Sequence, residues 1–115
     1  MTRGEIWWAD FGIPYGSEAG FTRPVLIVQD DTFNVSRIKT IVVLPLTTNL
    51  LLLDAPGNVL IRKKESKLIN DSVIVVTQLY AIDRSRFKEK ISKVPKETME
   101  QVETGMKLVL GMRRG

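Results

Sequence analysis

A chain of 115 residues with 43% hydrophobic and 26% charged side chains has room for one compact domain, expected to span residues 1–115, and not for two. It contains no cysteine and no histidine, which excludes disulfides, thiolate or imidazole metal sites, cysteine nucleophiles and Ser-His-Asp triads and leaves catalysis to carboxylates, hydroxyls, Lys and Arg. The net charge of +4 is uneven, with four Lys/Arg against six Asp/Glu in residues 1–55 and thirteen against seven in residues 56–115, a basic excess that fits a polyanion such as nucleic acid as well as it fits a solvated surface.

Glu5–Asp10 alternates Ile6 and Trp8 on one face with Trp7 and Ala9 on the other, the pattern of a strand covered on both faces. Trp7 and Trp8 read as core or interface rather than as a base-stacking platform, too early in the chain to sit with the loop that follows. That loop, Phe11–Thr22, holds three glycines and a proline, which deny it regular structure and mark it as functional or disordered. Tyr15 and Phe21 flank its polar residues Ser17 and Glu18, placed to stack on unpaired bases.

Pro24–Gln29 is a β-branched run suited to a buried strand, as is Thr40–Leu46. Thr47, Thr48 and Asn49 then bring small polar side chains to a strand end. Asp54–Asn58 reads as a turn, Val59–Ile61 as a short strand, and Ser72–Thr77 as a strand continuing through Ile82. Five strands are expected in all. After Pro95, Met99, Val102, Met106 and Val109 or Leu110 recur at helical spacing, giving one amphipathic helix. Gly105 within it would permit close approach of a neighbour. Strands first and a helix last imply a mostly β fold, a curled antiparallel sheet closed by the helix.

Arg23, at the start of a buried strand, suits a phosphate because its planar fork donates parallel hydrogen bonds; a structural pairing with Glu18 or Asp10 fits equally. Thr47 and Thr48 either donate to a phosphate or base edge or simply turn the chain. The runs Arg62–Lys64 and Arg84–Lys90 are solvated faces by default and would otherwise track a phosphate backbone. The apolar stretches Val42–Leu46 and Leu50–Leu53 are far short of a membrane span, and Met1–Glu5 opens no apolar signal segment, so a cytoplasmic location without membrane association is expected.

Arg3-Gly4-Glu5-Ile6-Trp7, Gly16-Ser17-Glu18 with Gly20 and then Arg23–Gln29, Pro45-Leu46-Thr47, and Asp71-Ser72-Val73-Ile74 with Gln78 and Ile82-Asp83 stand in the order and spacing of a known family. In them the chain resembles, from Arg3 to about Leu110, the MazF/PemK toxins of bacterial toxin–antitoxin systems. The resemblance implies an SH3-like small barrel, a homodimer, and a ribonuclease that needs no metal or other cofactor, cuts single-stranded RNA at short sequences and is restrained by a cognate antitoxin. It implies that Arg23 and Thr47 act on the scissile phosphate, that Gly16, Ser17 and Glu18 help form the RNA site, and that Thr48 and Gln78 line the base-binding groove. Glu18 is the nearest candidate base for the RNA 2′-hydroxyl. The variant of this site that uses a histidine is excluded here. Two other readings of the same fold are a toxin that poisons DNA gyrase without cutting RNA and an inactive RNA-binding barrel.

Overall fold

The computed structural model describes residues 1–12 and 22–112. Seven strands are present among them: β1 (Glu5–Asp10), β2 (Thr22–Ile27), β3 (Thr40–Thr47), β4 (Val59–Ile61), β5 (Ser72–Ile74), β6 (Tyr80–Asp83) and β7 (Phe87–Lys93). Two four-residue helices, α1 (Asp31–Asn34) and α2 (Lys63–Ser66), interrupt them, and α3 (Lys96–Val109) follows the last strand. All pairings are antiparallel, in the order β4-β5-β3-β2-β1-β7, with β6 also on β3. This is the curled, mostly β half-barrel with a C-terminal helix that strand-then-helix order implies.

Period-two alternation sorts the sheet's side chains into two clusters. Ile6, Leu26, Leu44 and Leu46 join Ile61 and Ile74 inside the curl, where Val102, Met99 and Met106 of α3 cover them. Ala9, Val25, Ile27, Ile41 and Val43 line the other face with Trp7, Tyr80 and Phe87. Trp7, partly buried, packs against this second cluster: its ring meets Phe87 edge-on at 6.0 Å and its Nε1 donates to Glu5 Oε1 at 2.8 Å.

The count of five strands is corrected by two features. The run from Ser72 to Ile82 is not one strand: β5 ends at Ile74, a single 3₁₀ turn spans Val76–Gln78, and β6 begins at Tyr80. Both halves lie along the same edge of β3, β5 opposite Leu46–Thr47 and β6 opposite Thr40–Val43. Between them stands Pro45, whose carbonyl accepts from Val75 N at 2.9 Å but which has no N–H to return, so the ladder breaks there. The second feature is β7, built from residues read as a charged run. Only its Phe87 and Ile91 reach the apolar clusters, and two register shifts against β1 disturb the alternation.

Smaller boundaries also move. β2 runs Thr22–Ile27 rather than Pro24–Gln29, because Val28 N and Gln29 N both donate to Val42 O and the regular ladder ends. Pro95, whose fixed φ suits the first helical position, stands one place earlier, as the N-cap residue of α3.

Gly105 does serve a close approach. It is buried on α3 against the backbone of Gly57, and a Cβ placed on it would overlap the Gly57 carbonyl oxygen. Gly57 itself has φ +99°, so its turn cannot yield cheaply. Gly105→Ala gains about 1 kcal/mol of helix propensity but overpacks backbone against backbone at about 1–3 kcal/mol. A net loss near 1 kcal/mol is expected, seen as a melting temperature lowered by several degrees, whereas Gln101→Ala on the exposed face should not lower it. A stabilised Gly105→Ala would contradict this packing.

Candidate RNA-binding cleft

The β2–β3 register runs from Ile27 opposite Val43 to Val25 opposite Pro45; Arg23 and Thr47 each lie two residues beyond that last pair. On its other side Arg23 pairs with Ala9, and its neighbour Pro24 pairs with Trp8. Arg23, Thr47 and Thr48 together line one cleft of about 350 Å³. Its floor is apolar, made by Pro24, Leu46, Leu68 and Ile91 with Trp8 as a wall, and Lys67 and Asn70 add polar groups from the α2–β5 connection. No carboxylate is among the described residues that line it. A second cavity of about 400 Å³ shares Thr48 and Asn70 with the first and reaches Lys63.

Local sequence explains the placements. Thr47 ends β3, and its Oγ1 accepts from Asn49 N at 3.1 Å, while Asn49 Oδ1 accepts from Leu51 N at 3.2 Å to open the next 3₁₀ turn. The turn-forming reading of Thr47 is therefore satisfied without consuming its hydroxyl proton, which is left to donate. Below Arg23, burial pushes the Tyr80 hydroxyl up to about 12, with the Arg23 charge acting in the opposite direction. Tyr80 is thus a neutral phenol at physiological pH and no candidate base.

Several expectations are redirected. Trp8 does sit beside the residues that follow the loop, because β1 pairs with β2; it forms the cleft wall and is only partly buried. Spacing along the chain carries no trace of that cross-strand neighbour. Gln78 is exposed in the turn between β5 and β6 and does not line this cleft. The Arg84–Lys90 run is largely committed elsewhere. Arg84 donates to the carbonyls of Ile38 and Phe33, Arg86 to that of Asp10, Lys88 lies 3.9 Å from Asp10 and Lys90 3.2 Å from Glu5. Tyr15, Gly16, Ser17, Glu18 and Phe21 lie outside the described residues. No motif or spacing in the sequence marks Lys67 or Asn70 as a site residue.

A curled antiparallel half-barrel, with an arginine and a threonine lining one basic-rimmed cleft, defines a class of small β proteins suited to binding a polyanion. The family described as "PemK-like, MazF-like toxin of type II toxin-antitoxin system" matches residues 2–110. The chain is 36% identical over 112 residues to Endoribonuclease MazF6 of Mycobacterium tuberculosis, covering 97% of this chain and 98% of that protein. Its fold matches an endoribonuclease in complex with its cognate antitoxin from a mycobacterial species with a TM-score of 0.79, at 21% identity over 100% of this chain and 99% of the other. It matches MazF from Deinococcus radiodurans with a TM-score of 0.75, at 23% identity over 97% of each chain. The chain belongs to the PemK/MazF family of type II toxin–antitoxin toxins, as the sequence motifs implied. Among the described residues no helix is long and apolar enough to cross a membrane.

Proposed function

We propose that this chain is the toxin of a toxin–antitoxin pair and acts as a sequence-specific endoribonuclease on single-stranded RNA, without a metal, restrained by its cognate antitoxin. The observation that carries the reading is that Arg23 and Thr47 line one cleft, in a chain 36% identical to an endoribonuclease over 97% of its length. The apolar floor suits an unpaired base and the cationic rim a phosphate.

RNA carries its own nucleophile. In the proposed reaction the 2′-oxygen attacks the adjacent phosphorus, its proton passing to a base, for which Glu18 is the candidate. The bond to the 5′-oxygen breaks and that oxygen takes up a proton, leaving a 2′,3′-cyclic phosphate and a 5′-hydroxyl. Arg23 stabilises the charge that develops on the phosphoryl oxygens, and Thr47 donates to one of them. Tyr15, Gly16, Ser17, Thr48 and Gln78 are kept as proposed RNA contacts, with Gln78 reached only by RNA extending past the cleft.

A homodimer is proposed on the family's pattern, and exposed Leu51 and Val35, 76% and 81% accessible, leave apolar surface for a partner to cover. The structural relative bound to its antitoxin supports a protein inhibitor here too; we take it to be an acidic, initially disordered segment that folds across the basic groove. A cytoplasmic location follows from an RNA substrate.

The purified protein incubated with a long single-stranded RNA in excess EDTA is expected to cut it at a limited set of sites. Binding without cutting would favour the inactive barrel, and neither binding nor cutting would favour a toxin with a protein target such as gyrase.

A further inference from the structure

Among the described residues, Lys67 is the one non-glycine with a left-handed backbone, at φ 67°. It caps the C-terminus of α2, a position where glycine or asparagine is the usual occupant because a Cβ crowds the neighbouring carbonyl. The chain places a long cationic side chain there instead, and holds it from both sides. Lys67 N donates to Lys63 O at 2.9 Å. The preceding Ser66 is fully buried; its carbonyl accepts from Ser92 Oγ at 2.5 Å and its hydroxyl from Leu68 N at 3.0 Å. Ser92 belongs to β7, so the turn is tied to the sheet rather than left to adapt.

The side chain held this way lines the same cleft as Arg23, Thr47 and Thr48. It is exposed, and among the described residues it forms no salt bridge. Lys63, Lys64 and Arg62 precede it, but none of these lines that cleft. A conformation unfavourable for lysine, fixed by two hydrogen bonds to a buried serine, is therefore spent on bringing one cation to the cleft from a wall other than that of Arg23.

We propose that Lys67 is a further substrate-binding residue of the cleavage reaction, contacting an RNA backbone phosphate other than the one at Arg23. This rests on the RNA-cleaving reading above. The division of labour follows the chemistry of the two cations: the planar fork of Arg23 suits a phosphate that must be held in one geometry, whereas an ammonium on a flexible stem suits a flanking phosphate that needs only charge.

Left-handed geometry gives a test by sign. Lys67→Gly relieves the crowding and removes the cation, so stability and RNA binding should move in opposite directions. The probe is a random-sequence single-stranded RNA carrying 2′-O-methyl groups throughout, which cannot cleave itself, titrated between about 50 and 200 mM salt beside thermal melting. Lys67→Gly and Lys67→Asn are expected to bind about five- to tenfold more weakly, with a logarithmic salt slope shallower by about one. Lys67→Gly should melt no lower than the wild type, and Lys64→Gln should stay within about twofold of wild-type affinity. Unchanged affinity and slope in Lys67→Gly overturn the proposal, and so does an equal loss in Lys64→Gln, which would make the effect one of net charge. The two failures are distinguishable: a wild type that binds this RNA but leaves its unmodified counterpart uncut overturns the nuclease reading, whereas unchanged binding by Lys67→Gly in a protein that cuts overturns the role of Lys67.

Discussion

Arg23→Ala is expected to lower RNA cleavage by about a hundredfold or more, equivalent to roughly 3 kcal/mol of transition-state stabilisation. The reason is the change of charge in the reaction: the phosphoryl group gains negative charge as the 2′-oxygen attacks, and Arg23 brings its guanidinium from β2 to the cleft that Thr47 also lines. Loss should fall on turnover more than on binding, since Lys67 and the apolar floor stay in place. Arg23→Lys should recover little, because a point charge does not reproduce a fork. Arg23 is exposed at the open end of β2, so melting of the variant should shift by at most a few degrees. Near wild-type cleavage by Arg23→Ala would show that the arginine is structural.

The second large effect is on stability against acid. Burial would push the Glu5 carboxyl up, but hydrogen bonds from Trp7 Nε1 and Thr2 N, with Lys90 Nζ 3.2 Å away, outweigh it and hold the group at about 2. A carboxylate whose folded pKa lies below its unfolded value near 4.5 stabilises the fold above that value. The contribution, about 3 kcal/mol for a shift of this size, is lost as pH falls from about 4.5 through about 2. Denaturant melts across this window should show the wild type losing stability steeply. In Glu5→Gln the loss should be shallower and the variant should start lower at neutral pH. Equal pH dependence in both proteins would mean that Glu5 is not the group responsible.

Glu5 also shows what a sequence conceals. Beside Trp7 it reads as a polar residue at a strand start, yet its ionised state rests first on hydrogen bonds from Trp7 and Thr2 and last on Lys90 of β7, the strand hidden by its own charges. β1 was legible from its period-two alternation, β2 and β3 from their β-branched runs, and α3 from the spacing of Met99, Val102 and Met106. β7 offers only Phe87 and Ile91 among Lys and Glu, with the register shifted between them, so its identity as a strand comes from β1 and not from its own composition. The break between β5 and β6 was equally invisible: Ser72–Ile82 is apolar enough to run on, and what stops it is Pro45 on a different strand. Helix α1 depends on the Asp30 side chain accepting from Thr32 N at 2.9 Å, a capping signal that is present in the sequence but serves only one turn.

The cleft divides in the same way. Arg23 and Thr47 could be named from motif and strand position, since each stands next to a strongly patterned strand. Trp8 enters the cleft by pairing with Pro24, and Lys67 by a left-handed turn that lysine does not advertise. Both depend on contacts made between elements, where spacing along one element has nothing to report.

In the proposed reaction the RNA itself supplies the nucleophile while the protein supplies charge and alignment. The direct measurement is cleavage, in EDTA, of a single-stranded RNA of identified cut site and of the same strand with one 2′-deoxy nucleotide 5′ to the scissile phosphate. The all-RNA strand is expected to be cut to a fragment ending in a 2′,3′-cyclic phosphate, and the deoxy strand to be bound with similar affinity and left intact. Efficient cutting of the deoxy strand at that phosphate would contradict it, because the attacking oxygen would then have to come from water.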